Sequence, residues 1–131
     1  MGNPGSALSQ KLGIRPWGKV SLVDPPDGFT LGLPDDAAFV GATIPNVDVI
    51  VWFVLSKSML ERRFDQTLAR LGGNGTLWIV WPKKGAGVPT DVADEVVREV
   101  ATAKGRLVDQ RIVPFDNTWN GVRVVGRLPG K

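Results

Sequence analysis

The chain has 131 residues, of which 43% are hydrophobic and 22% charged, and it carries a net charge of +3. That is the length of one domain with a globular composition, which excludes a disordered chain and a long basic nucleic-acid tail. Cysteine and histidine are both absent, which excludes disulfides, Cys/His metal sites, thiol nucleophiles and Ser-His-Asp triads.

Residues 1–10 lack a charged stretch followed by an apolar run, so no signal peptide is expected. Residues 1–5 are expected to be flexible. Residues 6–12 form a short helical candidate, with Leu8 and Leu12 one turn apart and Gly13 as its stop. Residues 19–24 read as the first strand, ended by the turn chemistry of Pro25-Pro26-Asp27-Gly28. A single helical turn is expected over residues 29–33, and a weak strand over residues 37–42.

Residues 47–55 are nearly continuously apolar, the pattern of a strand buried on both faces in a parallel sheet. Asp48 interrupts the run, which is also far too short to span a membrane. Ser58 and Glu61 have capping-box spacing. A helix starting there would carry Leu60, Phe64, Leu68 and Leu71 at helical spacing and end at Gly72-Gly73. Residues 76–81 read as the next buried strand, followed by the loop Pro82-Lys83-Lys84-Gly85-Ala86-Gly87. Thr90 is positioned to cap a helix through Lys104, with Val92, Val96, Val100 and Ala103 on one face. Residues 107–113 and 119–128 are then strands. The connection between them is too short for a parallel crossover, so they should pair antiparallel.

Strand–helix–strand alternation gives the expected fold class: α/β, one domain over residues 1–131. It is a three-layer, Rossmann-like, mostly parallel sheet of order about 2-1-3-4-6-5, closed by an antiparallel hairpin. The link between residues 42 and 47 is too short to hold a crossover helix. The second strand must therefore connect by an extended excursion or stand outside the sheet.

This order resembles a shortened Rossmann-like methyltransferase fold. At the residue level the chain is similar to a bacterial family known as domain of unknown function 3052. The similarity is carried by Lys11-Leu12-Gly13-Ile14, Asp27-Gly28-Phe29, Trp81-Pro82-Lys83-Lys84, Thr90-Asp91 and Asp116-Asn117-Thr118-Trp119. The chain departs from that pattern where Asn117 replaces an acidic residue and Asn120 a serine. The resemblance implies the fold and no established activity.

In open α/β sheets, ligands bind at the carboxyl ends of the strands, facing helix N-termini. The expected site is therefore the edge formed by residues 25–28, 56–58, 82–90 and 115–120. Lys83 and Lys84, with Gly85, Gly87 and the amides of a helix starting at Thr90, could hold an anion. Asp116 could pair with a lysine and Trp119 could stack on one, with Asn117 and Asp27 beside them. Against this stands a plain reading of solvated lysines and a structural lid. The turn after the first strand holds prolines where a dinucleotide or S-adenosylmethionine site needs glycines. No cofactor, no metal and no catalytic residue are therefore assigned.

The leading expectation is a non-catalytic, cytoplasmic Rossmann-like module that binds a partner protein or a small anionic ligand at the carboxyl edge. The alternative is a transferase-like enzyme, a degenerate methyltransferase relative using a bound cofactor with Lys83, Lys84 and Asp116. Nucleic-acid binding is weaker, because Arg123 and Arg127 lack an aromatic stacking platform in the sequence around them. No membrane partner is expected, and a homo-oligomer is left open.

Overall fold

The computed structural model describes residues 2–127. Met1, Lys131 and the expected strand end at Leu128 lie outside them. The elements run α1 (Ala7–Leu12), β1 (Lys19–Val23), β2 (Ala38–Phe39), β3 (Val47–Phe53), α2 (Lys57–Leu68) and β4 (Leu71–Pro82). They continue with α3 (Asp94–Ala103), β5 (Arg106–Val108), β6 (Val113–Pro114) and β7 (Trp119–Arg127).

The sheet has the order β2-β1-β3-β4-β7-β5, with β6 paired to β7 beside this path. β2, β1, β3 and β4 are mutually parallel, and β7 runs antiparallel to β4, β5 and β6. β5 is thereby parallel to β4, reached through α3 across the intervening β7. This is the expected fold class and strand order.

The two faces of the sheet hold separate cores. On one face Val23, Ile50, Trp52, Leu77, Ile79 and Val122 pack under Leu60 and Phe64 of α2 and Val97, Val100 and Ala101 of α3. On the other, Val20, Val49, Val51, Phe53, Trp78 and Val80 pack under Leu12, Ile14, Leu31, Phe115 and Trp119. Only α1 and extended segments cover this second face. Continuous apolar runs in β3 and β4 are what a sheet covered on both sides requires. Trp52 is wholly buried, and its indole N–H has no partner among the described residues. Trp78, on the opposite face, donates its own to the Leu12 carbonyl at 3.2 Å.

Several local expectations give way to non-local contacts. α2 is capped by Ser56, not Ser58: Ser56 is extended (φ −133°, ψ 129°) and its hydroxyl accepts from the Met59 N–H at 3.2 Å. The helix stops at Leu68 with Ala69 as its C-cap, before the glycines, which instead belong to β4. Between Val47↔Leu71 and Val49↔Thr76 the register shifts, so residues 72–75 bulge. Gly75 is required there, because a Cβ would lie 2.8 Å from the Val47 carbonyl oxygen.

Residues 29–33 form no helical turn. The Gly32 carbonyl is committed elsewhere, accepting from the Ser6 N–H at 2.9 Å and the Ser9 hydroxyl at 2.5 Å. Ser6 caps α1, and Gly13, at φ 80°, ends it as expected. The strand expected over residues 107–113 is split. The Asp109 N–H still donates to the Arg123 carbonyl of β7 at 2.8 Å; the chain then turns away as the Asp109 carboxylate accepts from the Arg111 N–H at 3.0 Å, and β6 resumes at Val113.

β2 is a sheet strand of two residues, and the link to β3 carries no helix. Its polar backbone is held by Arg70. That guanidinium donates to the Gly41 carbonyl at 2.8 Å, the Ile44 carbonyl at 3.1 Å and the buried Ser21 hydroxyl at 2.8 Å. Desolvation lowers the Arg70 pKa from its ordinary value. A fork of donors thus does what a crossover helix does elsewhere: it satisfies the carbonyls of a chain crossing the sheet.

Candidate functional site

The carboxyl edge of the parallel strands is assembled from four connections. After β1 the chain turns through Asp24, held at φ 54°, and Gly28 at φ 81°, with the Phe29 N–H donating to the Pro26 carbonyl at 3.2 Å. Asp24 lies 3.4 Å from the Arg63 guanidinium of α2. After β3, Val54 donates to the Val80 carbonyl at 2.8 Å, and Leu55 and Ser56 lead into α2.

The third connection, after β4, folds back on the second. The Thr90 hydroxyl donates to the Leu55 carbonyl at 2.7 Å and accepts from the Val92 N–H at 3.0 Å. The Asp91 carboxylate accepts from the Lys57 N–H, the first of α2, at 2.7 Å. Thr90 is therefore not the cap of α3. That helix starts at Asp94, with Ala93 at the cap position making no side-chain hydrogen bond. Asp94 and Glu95 occupy its first turn, and their negative charge complements the helix dipole while repelling an incoming anion. Val97 and Ala101 join Val92 and Val100 on the buried face, Val96 packs half-buried against the same core, and Ala103 is exposed. Lys57 also reaches Glu99 of α3 at 3.0 Å. The hydrogen bond to Glu99, followed by its charge, raises the Lys57 pKa.

The fourth connection is the β6–β7 turn. The Asp116 carboxylate accepts from the N–H groups of Thr118 and Trp119 at 2.8 and 2.9 Å. This is an Asx turn, and it replaces the ion pair expected with Lys83 or Lys84. Trp119 is buried and meets Phe53 edge to face, ring centroids 5.2 Å apart, while Phe53 meets Phe29 at 4.9 Å. Its ring partner is Phe53 and not a lysine.

Between the four connections lies a cleft of about 560 Å³. Phe53, Val54, Leu55, Met59, Val88 and Trp119 give it an apolar wall, with Pro25, Pro26, Ser56 and the carboxylates of Asp24 and Asp27 completing it. Of the residues singled out from sequence, Asp27 and Trp119 line this cleft. Lys83, Lys84, Gly85, Gly87, Thr90, Asp116 and Asn117 do not. Lys83 begins a turn beside it, donating its N–H to the Thr118 carbonyl at 2.7 Å, and Gly85 and Gly87 both take φ 83°. Among the described residues neither lysine has an ion-pair partner.

Phe53, Leu55 and Met59 lie outside the stretches expected from sequence, and Val88 falls within residues 82–90 without having been named. The available signal was Leu55, an apolar residue just past the strand that the structure leaves 46% exposed. Among the described residues no group of three acidic side chains is placed to hold a metal ion, and no helix is long and apolar enough to cross a membrane.

No protein-family model matches the chain, and no curated protein sequence matches it. Solved structures do. An S-adenosylmethionine-dependent methyltransferase from Aquifex aeolicus superposes with a TM-score of 0.65 at 16% identity, covering 88% of this chain and 85% of that one. A ribosomal protein L11 methylase from Lactobacillus delbrueckii subsp. bulgaricus gives a TM-score of 0.54 at 11% identity, covering 92% and 75%. The chain has a methyltransferase-like fold.

Proposed function

We propose that this methyltransferase-like domain is a non-catalytic binding module whose carboxyl-edge cleft takes a small ligand. The ligand has a flat apolar body and an anionic group. The cleft carries this reading: 560 Å³ is within the range of small-molecule sites, and its wall is apolar with a few polar groups at the rim. The body lies against Phe53, Met59 and Trp119. The anionic group turns toward Lys83 and Lys84, whose loop starts next to Trp119.

Catalysis is not part of this reading, because Ser56 and Asp24 are already engaged, which leaves the Asp27 carboxylate without a second group for acid–base work. The Ser56 hydroxyl caps α2, and Asp24 pairs with Arg63. The methyl donor that the fold brings to mind does not fit the turn after β1. Pro25 and Pro26 there offer no backbone N–H groups to a ligand.

A second reading, a transferase, is favoured by the likeness to the Aquifex methyltransferase over 88% of the chain. One thermal-shift titration tests both, using S-adenosylmethionine, AMP and phosphosugars on wild type, Met59→Lys and Lys83→Ala/Lys84→Ala. A ligand that raises the melting temperature of wild type, less so that of the lysine variant, and not that of Met59→Lys supports the binding site. A response to S-adenosylmethionine alone favours the transferase. An equal shift in all three proteins, or no shift in any, refutes the cleft as the site.

A further inference from the structure

The second sheet face is covered by a helix only at α1, and toward the amino ends of the strands it stays open. Two cavities of about 600 and 400 Å³ lie there, and Lys11 and Arg123 line both. Together they make one groove running from Trp17 past Thr76 and Trp78 to Ile112. It is on the edge of the sheet opposite the carboxyl-edge cleft.

The groove is basic. Lys11, Arg15, Arg111 and Arg123 line it, against the two carboxylates of Asp48 and Asp109. Both carboxylates are engaged: Asp48 accepts from the Lys19 N–H at 2.8 Å, and Asp109 from the Arg111 N–H at 3.0 Å and the Arg123 guanidinium at 3.2 Å. Lys11, Arg15 and Arg111 have no ion-pair partner among the described residues.

At one end stands Trp17, 76% exposed and so, among the described residues, the most solvent-accessible of the large apolar side chains. Its backbone is left-handed, at φ 68°. Such a conformation is costly for a bulky residue unless its surroundings enforce it. They do so here. The Trp17 N–H donates to the Asp35 carbonyl at 3.3 Å, and the Gly18 N–H to the Arg15 carbonyl at 3.0 Å. Gly18 is required, because a Cβ would lie 2.9 Å from the Arg15 carbonyl oxygen. An indole presented to solvent on a strained, pinned turn, at the end of a basic groove, is a stacking platform with a phosphate track. Those are the two parts that sequence-tolerant single-strand binding needs.

We infer that this groove binds single-stranded nucleic acid, with a base stacked on Trp17 and the phosphates following Lys11, Arg15, Arg111 and Arg123. A free nucleotide shares this chemistry, but two adjoining cavities sharing Lys11 and Arg123 form a track longer than one nucleotide needs. The site is independent of the carboxyl-edge cleft.

The test is fluorescence anisotropy of a labelled fifteen-residue oligothymidine with the full chain, over a series of salt concentrations. Wild type should bind at low salt, with log K falling against log [salt] at a slope of about −2 to −3, from three or four phosphate contacts. Trp17→Ala should weaken binding about tenfold at every salt concentration, since stacking is not ionic. Lys11→Glu/Arg111→Glu should abolish binding at moderate salt, and Lys83→Glu/Lys84→Glu, at the other edge, should bind like wild type. Circular dichroism of each variant checks the fold; Lys11, Trp17, Lys84 and Arg111 are exposed and Lys83 is half-buried. No binding by wild type at low salt overturns the inference. So does loss of binding in the Lys83/Lys84 variant with retention in Trp17→Ala, or AMP competing as strongly, base for base, as the oligonucleotide.

Discussion

The Asp91 carboxylate sits 2.7 Å from the backbone N–H of Lys57, at the first turn of α2. A helix N-terminus at the carboxyl edge of a parallel sheet would otherwise be an anion site. Here the anion is supplied by the chain itself, from the loop after β4. That contact fixes the path of residues 88–92 and sets Val88 against the cleft. It also accounts for α2 starting at Lys57: Ser56 satisfies the Met59 N–H and Asp91 the Lys57 N–H.

Asp91→Ala should cost about 1 kcal/mol, the usual value of a lost helix cap. That corresponds to a fall of about 3–5 °C in melting temperature for a domain of this size. Asp91→Asn, which keeps an acceptor oxygen, should recover most of the loss. Thermal denaturation of the three proteins in parallel checks the ranking, and equal stability of the Ala and Asn variants would refute the capping role.

Arg70 should be among the most sensitive polar positions outside the cores. Arg70→Ala leaves the Gly41 and Ile44 carbonyls and the buried Ser21 hydroxyl without their donor. We expect a loss of about 2–4 kcal/mol in urea unfolding. Arg70→Lys should recover little, because one ammonium cannot match a planar fork aimed at three oxygens. Hydrogen exchange should show the damage concentrated in β2 and its link to β3.

Asp109 links acid stability to the β5–β6 break. The Arg111 N–H does most to favour its charged form and lower its pKa; desolvation opposes this, and the Arg123 guanidinium adds to the lowering. A carboxyl depressed on folding stabilises the fold above its unfolded-state pKa and loses that stabilisation as pH falls through the folded value. Asp109→Asn should therefore melt lower than wild type near neutral pH, and the gap should close as pH falls below the ordinary carboxylate value of about 3.9. A gap that persists in acid would mean that charge has no part in it. The side chain is accessible, so the gap should also narrow in high salt.

Much of the architecture is legible in the chain because it follows from burial. Continuous apolar runs in β3 and β4 demand a sheet covered on both faces, and residues 114–118 are too few to allow anything but antiparallel pairing. Ser6 and Gly13 bound α1 through contacts within one turn. These are local or periodic signals, carried by the order of residues along the chain.

The site was legible as a place and not as a set of residues. The carboxyl edge follows from topology, but Lys83 and Lys84 turned out to stand beside a cleft walled by Phe53, Leu55, Met59 and Trp119. Ser58 has the better capping-box spacing, yet Ser56 caps. Thr90 reads as the start of a helix, yet its hydroxyl serves Leu55, and Asp91 caps a helix from another segment.

The sequence by itself determined the strand order, the two apolar cores and the edge at which the loops gather. Each is set by hydrophobic periodicity and connection length, which do not depend on where distant residues end up. Tertiary structure alone decided which polar group meets which: Asp91 on Lys57, Arg70 under Gly41 and Ile44, Trp17 at the end of the Arg123 groove. A hydrogen bond is satisfied or lost within a few tenths of an ångström. Its partner is therefore chosen only after packing has brought segments far apart in the chain to one place.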